Sequence, residues 1–284
     1  MAIVGIVLVA VAVLGGFMMA HGNLSVLLHA SEIVIIGGTA IGAFITASSP
    51  KIAKQVIKSI GKIFSMKSHG KAHYVELLSM LYRVFSKIRR EGLISIEADV
   101  ENPERSALFR RYPSIIKEKR LMDFICDNLK VIVTTSIPPH ELDGLLDIEI
   151  ETGLHESQVP YHSLTTVADS LPGIGIVAAV LGIVITMGKI NEPPEVLGAS
   201  IGAALVGTFL GILLCYGFVG PMAANLNNKA KEEEVSFLVI KLAIVAFVGG
   251  SAPQIAVEFG RRAIPDHDRP TFGELEKAIR AASK

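Results

Sequence analysis

Long runs of apolar residues dominate the pattern along the chain. Four of them contain no charged residue: Ala2 to Ala20, Ile33 to Ser48, Leu171 to Met187 and Leu197 to Phe218. A membrane-spanning helix needs about 17 to 25 mostly apolar residues, and the second run is the shortest of the four. A helix satisfies its own backbone polar groups in lipid. The pattern therefore predicts four transmembrane helices.

The polar parts of the chain carry a helical period instead. Apolar residues recur three and four positions apart in two stretches. These are Leu77, Leu78, Leu81, Phe85 and Ile88, and then Leu121, Phe124, Ile125, Leu129 and Ile132. The stretch PPHELDGLLDIEIETG opens with prolines and ends at Gly153, which is typical of a helix start and stop. We expect compact helices here and no sheet.

Lysine and arginine indicate the orientation. The loop from His21 to Glu32 has neither residue, and the loop between the third and fourth runs has only Lys189. The positive-inside rule places the basic remainder in the cytoplasm, with both termini. The predicted fold is an all-α membrane protein with four parts. They are spans one and two with a short periplasmic loop (1–50), a cytoplasmic helical domain (51–168), spans three and four (169–222), and cytoplasmic C-terminal helices (223–284).

One basic stretch has two interpretations. Six lysines occur without an acid among them, and four apolar residues recur beside them at near-helical spacing. The lysines are Lys51, Lys54, Lys58, Lys62, Lys67 and Lys71, and the apolar residues are Ile52, Val56, Ile60 and Ile63. An amphipathic helix on the anionic inner leaflet fits this pattern, with membrane lipid as a partner. The alternative is that the lysines only fix the topology.

Composition narrows the function classes. The chain is 50% hydrophobic and 19% charged, and its mean hydropathy is +0.50. Gly173, Gly175 and Ala178 form a dinucleotide-like G-x-G-x-x-A, but no strand precedes it, so nucleotide binding is rejected. Cys126 and Cys215 are predicted on different sides of the membrane boundary, so no disulfide is expected. No motif indicates catalysis, a metal site, a cofactor or nucleic-acid binding.

The fourth run is rich in small residues. Gly198 with Gly202, and Gly207 with Gly211, are small-xxx-small pairs, which let helices approach closely. Thr208 lies about 16 Å along the helix from Leu197. Its hydroxyl has two possible roles, lining a hydrated cavity or bonding the carbonyl one turn back, and the sequence favours the second.

Two prolines stand at the predicted cytoplasmic ends of spans. Pro172 follows Ser170, a possible helix cap, and so has a second interpretation as an ordinary first-turn proline. Pro221 has predicted helix on both sides, which makes it the better candidate for a kink.

These residues together resemble the MotA family, the larger stator subunits of bacterial flagellar motors. The resemblance rests on DSLPGIGIVAAVLGIV, VGTFLGILLCYGFVGPMA, APQIAVEFGRR and EGLISIEADVENPERSALFRRYP, in that order of spans and insertion. It covers essentially the whole chain. The wider ExbB and TolQ relatives share the last two spans, but the two leading spans and IEADVENP favour the stator.

The resemblance implies a function and its partners. Such a subunit conducts protons only with MotB, which supplies an essential membrane aspartate, and it drives the rotor switch protein FliG. It forms a homo-oligomer, a pentamer around a MotB dimer. Spans three and four then line the ion path. The alternatives are an ExbB/TolQ-type energy-transducing channel subunit and a non-conducting membrane scaffold.

Particular residues take their roles from the resemblance. Pro172 and Pro221 match functional prolines, here conformational hinges. Arg89 and Glu97 match a rotor-facing charged pair in the 51–168 domain; the alternative is a solvated helical face. Thr208 and Ala179 lie on the ion path. Ala179 stands where sodium-driven relatives have a threonine, which favours protons as the conducted ion.

Overall fold

The computed structural model describes residues 2–27, 30–64 and 69–282. Regular structure in these ranges is helical throughout, so the predicted all-α class is confirmed. The α-helices are α1 (Ala2–Met19), α2 (Ala30–Ala47), α3 (Pro50–Ile63), α4 (Lys71–Glu91), α5 (Glu97–Glu101), α6 (Pro113–Ile116), α7 (Lys119–Thr134), α8 (Pro139–Met187), α9 (Pro194–Leu213), α10 (Gly220–Val248), α11 (Pro253–Ala263) and α12 (Phe272–Ala282). A π-helical turn, Leu214–Val219, joins α9 to α10.

Four helical segments are long and apolar enough to cross a membrane. They contain the four apolar runs of the sequence. α1 has no buried residue, and most of its aliphatic side chains are exposed. Exposed aliphatic side chains are compatible with contact to lipid, because the hydrocarbon tails are equally apolar.

Helix α8 is far longer than the sequence suggested. It runs for 49 residues and contains Pro160 and Pro172 in its interior. The expected stop at Gly153 is therefore wrong, and so is the interpretation of Pro172 as a first-turn proline. Gly153 instead makes room for a neighbour, because the Arg120 guanidinium lies where its side chain would be.

The chain forms two compact units. The first unit contains residues 1–66 and 157–228, and the second contains residues 67–156 and 229–284. These packing units differ from the four ranges expected from topology, since 51–66 and 157–168 belong to the first unit. The four expected ranges describe on which side of the membrane each part of the chain lies, and this topology stays a prediction.

The second unit is built around α4. Both predicted helical periodicities are confirmed, because all ten of their residues are buried in one hydrophobic core. Val239, Ile240, Ala243 and Ile244 of α10 belong to the same core. Lys241 interrupts this apolar stretch, and its Nζ lies 2.9 Å from Asp143 and 2.6 Å from Asp147. Burial alone would lower the pKa of Lys241, but the hydrogen bonds to Asp147 and Asp143 outweigh it and raise it.

Helix α3 packs on protein within the first unit. Val56 and Ile63 are buried against Leu164, Ala223 and Leu226. The apolar stripe predicted to rest on the inner leaflet is thus covered by α8 and α10, which corrects that interpretation. The amphipathic period was right, but a helix cannot show from sequence alone whether its apolar face meets lipid or protein.

The lysines of this stretch do not belong to the buried face of α3 where their side chains are described. Those of residues 51, 54 and 58 are exposed. Lys67 lies outside the described residues, and so does the side chain of Lys62.

Candidate functional site

Helices α8 and α9 meet backbone to backbone. A side-chain carbon on Gly211 would lie 2.6 Å from the carbonyl oxygen of Leu171 and 2.9 Å from Cα of Gly175. The converse holds for Gly175, where such a carbon would lie 2.7 Å from the carbonyl oxygen of Gly207. Backbone atoms cannot move aside as a flexible side chain can, so neither glycine leaves space for any larger residue.

The same contact line continues along both helices. A side-chain carbon on Gly207 would lie 3.0 Å from Cβ of Ala178, and one on Gly182 would lie 2.7 Å from Cβ of Ala204. The three close approaches therefore pair α8 and α9 along about two turns. We call this line the glycine seam; it joins Gly175, Ala178 and Gly182 of α8 to Gly211, Gly207 and Ala204 of α9.

The two predicted ion-path residues lie next to the glycine seam. Ala179 is buried, and its backbone nitrogen would lie 3.1 Å from a side-chain carbon on Gly207. Thr208, the residue after Gly207, is half-buried. In the described part of the chain, the hydroxyls of Thr46 and Thr186 donate to the carbonyl four residues back, whereas that of Thr208 has no partner. The bond that the sequence favoured is therefore absent, and the hydroxyl is available.

An acidic residue that sequence reasoning missed lies at the same place. Glu32 lies in the first turn of α2 with only 5% of its surface exposed. Its Oε2 is buried without a hydrogen-bond partner among the described residues and would lie 2.7 Å from a side-chain carbon on Gly207. The sequence does contain an indication of this role, since Glu32 is a lone acid at the edge of an apolar run. The sequence pattern places it in the loop, whereas it lies within α2.

A cavity of about 590 Å³ adjoins this carboxyl group. Its polar and charged side chains come from the start of α2, from the residues just after α8 and from the start of α9, and Glu32 is one of them. The others are Ser31, Lys189, Glu195 and Ser200. The cavity is also lined by Gly182 and Ala204, so it opens onto one end of the glycine seam.

The two predicted hinges have different surroundings. Pro172 lies inside the continuous helix α8. Pro221 is the second residue after the π-helical turn, and the Gly220 amide between them donates to the carbonyl of Cys215, five residues back. Proline has no amide hydrogen, so the carbonyl four residues before Pro221 loses its usual donor. π-helical turns are a recognised cause of helix bending and often occur at functional sites.

The predicted rotor-facing residues lie in the second unit. Arg89 is exposed near the end of α4, and Glu97 is exposed at the start of α5. Neither has an ion-pair partner among the described residues. Arg89 lines a cavity of about 520 Å³ with four other basic side chains. They are Arg83, Lys87, Arg90 and Arg111.

The other glycine pair of α9 has open surroundings. A side-chain carbon on Gly198 or on Gly202 would meet no described atom within 4 Å. These two glycines therefore do not contribute to the packing of the single chain, unlike Gly207 and Gly211.

Family models match most of the chain. Residues 3–92 match the N-terminal part of motility protein A, and residues 117–238 match the MotA/TolQ/ExbB proton channel family. Motility protein A of Salmonella typhimurium is 43% identical over 98% of this chain and 95% of its own length. The chain belongs to the motility protein A family. The chemotaxis protein LafT of Vibrio parahaemolyticus is 34% identical over 96% of each chain.

Solved structures agree with this family assignment. A chain of the MotAB structure from C. jejuni superposes with a TM-score of 0.79 at 20% identity, over 95% of this chain and 98% of that one. A chain of the flagellar MotAB stator complex from Bacillus subtilis gives 0.78 at 25% identity, over 95% and 97%. The predicted resemblance is confirmed, and so is the role of a motility protein A: this is an inner-membrane stator subunit of the flagellar motor.

Proposed function

We propose that this stator subunit conducts protons together with a MotB partner and turns that flow into torque. The observation that carries the proposal is the glycine seam with Ala179 and Thr208 beside it. The described residues of α9 include one acid, Glu195 in its first turn, and the buried Glu32 of α2 lies against Gly207. A membrane carboxylate from a partner would complete the path, and the relatives of known structure are MotAB complexes.

Co-expression with the partner gives the test. Cells that contain both subunits should acidify faster than cells that contain this chain alone, when an inward proton gradient with a negative interior is imposed and internal pH is followed. Equal proton flux in both would favour the non-conducting scaffold. A deletion that stops iron uptake and leaves swimming intact would favour the ExbB/TolQ alternative.

The orientation follows from charge. Both termini, residues 51–168 and residues 223–284 are cytoplasmic in our proposal, since nearly all lysine and arginine lies there. Reporter enzymes fused after Lys130 and after Lys241 should be active only as cytoplasmic fusions. Activity of a periplasmic reporter at either position would contradict the orientation.

Assembly is proposed to use the open face of α9. Gly198 and Gly202 form a small-xxx-small pair that nothing in the single chain covers, and such pairs mediate close helix contacts in membranes. We assign this face to neighbouring copies in a pentamer around a MotB dimer.

The rotor contact is proposed to lie at Arg89 and Glu97. The cavity beside Arg89 is strongly basic, which suits an acidic surface on FliG. Arg89→Glu should reduce swimming speed, and a compensating acid-to-base change on FliG should restore part of it. Arg280→Glu is the matched control, because Arg280 is exposed in the same unit and pairs locally with Glu276. Equal effects of the two reversals would show that Arg89 lies on an ordinary solvated face.

The hinge role of Pro221 is also a proposal. Pro221→Ala supplies an amide hydrogen and should convert the π-helical turn towards a regular α-helix. We expect normal membrane insertion with clearly reduced motility. Ala224→Gly, three residues on, is a control that perturbs the same helix without adding a donor. Unchanged swimming in Pro221→Ala would remove the bend from the mechanism.

A further inference from the structure

Two histidines and a glutamate converge in the second unit, away from the glycine seam. His69 Nε2 lies 3.1 Å from Oε2 and 3.2 Å from Oε1 of Glu118. His73 Nδ1 lies 3.6 Å from Oε1 of the same carboxylate. His69 lies two residues before α4, His73 lies in its first turn, and Glu118 directly precedes α7. One ligand atom from each of the three residues lies within 4.8 Å of the other two.

We propose that His69, His73 and Glu118 bind a divalent transition-metal ion, with Zn²⁺ as the best match. Two imidazole nitrogens and one carboxylate oxygen form a ligand set typical of zinc sites that keep a fourth position for water. Zinc–ligand distances of about 2.0 to 2.1 Å place neighbouring tetrahedral ligands about 3.3 Å apart. The measured separations from Glu118 lie on either side of that value, so small side-chain shifts suffice.

A hydrogen bond to a neighbouring side chain orients the ring of His73 towards Glu118. Its Nε2 lies 3.3 Å from the hydroxyl of Ser236, which is itself buried. When Nε2 carries the hydrogen and donates it to Ser236, the lone pair of Nδ1 faces Glu118. Metal-binding histidines are commonly oriented by such a hydrogen bond at their other nitrogen. The two imidazole rings lie stacked, with centroids 4.1 Å apart, which keeps both on one side of the carboxylate.

The rival interpretation is a plain ion pair. The hydrogen bond that Glu118 accepts from His69 raises the pKa of His69, as a histidine–carboxylate pair would. An ion pair of this kind needs one histidine, however, and does not account for the second imidazole.

A bound ion would connect parts of the second unit that are distant in sequence. His69 lies three positions from the unit boundary at residue 66, and Glu118 lies between α6 and α7. Metal binding would tie the start of α4 to the start of α7, and its free energy would add to the stability of the unit. This inference concerns a separate site and does not depend on the conducted ion.

Zinc titration of the intact complex provides the test. The full chain, purified with its partner subunit in detergent and without a histidine tag, is titrated with Zn²⁺ against a chromophoric chelator. We expect one tight site per chain, lost in His69→Ala and in Glu118→Gln. Ser236→Ala should weaken binding about 10- to 100-fold, as changes to an orienting hydrogen bond do. His140→Ala is the control, because its side chain is 82% exposed and outside the cluster.

Spectroscopy keeps the test independent of folding defects. Co²⁺ in place of Zn²⁺ should give the visible absorption of a four-coordinate site in the parent complex and in His140→Ala. The band should be lost in Glu118→Gln, whose shape is nearly unchanged and whose helicity is checked by circular dichroism. Equal Zn²⁺ affinity in the parent and Glu118→Gln, or no tight zinc site in the parent, would overturn the proposal.

Discussion

Gly211→Leu is expected to abolish swimming and to destabilise the chain itself. The new side chain would start 2.6 Å from the carbonyl oxygen of Leu171 and 2.9 Å from Cα of Gly175. Overfilling a packed interior with a side chain costs about 1 to 3 kcal/mol, and here the obstacle is backbone, so α8 and α9 must separate. The measurement is the thermal stability of the purified chain in detergent, with swimming speed in a deletion strain.

Gly198→Leu is the matched control on the same helix. Nothing described lies within 4 Å of its side-chain position, so the purified single chain should keep the parent's stability. Loss of oligomers in Gly198→Leu would locate an interface between copies at this face. Gly211→Leu with full stability and normal motility would show that the glycine seam is not needed.

Swimming driven by this stator should stop when the proton gradient is collapsed and should not need sodium. Replacing the water shell of sodium takes several oxygen ligands, whereas a proton needs a carboxylate and a hydrated approach. Ala179, which the family resemblance aligns with a threonine of sodium-driven relatives, is a buried methyl group. Thr208 then offers one hydroxyl, too few for a sodium site in this chain alone.

The experiment compares two ion substitutions in the same cells. Speed should stay constant when external sodium is replaced by potassium at fixed pH, and it should fall steeply on addition of a protonophore. The available energy is about 2.3 kcal/mol per charge for each 100 mV, so speed should track the membrane potential. Loss of swimming without sodium, together with resistance to the protonophore, would refute proton coupling.

Local patterns predicted much of the fold. The apolar runs gave the four span candidates, and the helical period in α4 and α7 gave the buried core of the second unit, because both depend on neighbours in sequence. The extent of α8 could not be predicted in the same way. Proline and glycine inside it resemble boundary signals, and tertiary packing decides whether a helix stops there.

Less of the candidate site could be predicted from the sequence. Glycine spacing indicated a close helix contact, but only the fold pairs Gly211 with Gly175 and leaves Gly198 open. The burial of Glu32 depends on α9, which is far away in the chain. His69 and Glu118 are 49 residues apart, so no spacing rule for metal ligands could have joined them.

The close approaches between α8 and α9 also restrict how these helices can move. Gly175, Ala178 and Gly182 follow one another at three and four residues, about one helical turn apart. A shift of α9 along α8 by a fraction of a turn would drive a carbonyl or a methyl group into the opposite backbone. Sliding is thus confined to whole-turn steps of about 5.4 Å, as in ratchet-like helix shifts. In the proposed ion-conducting cycle, we therefore expect α8 and α9 to move as a single body.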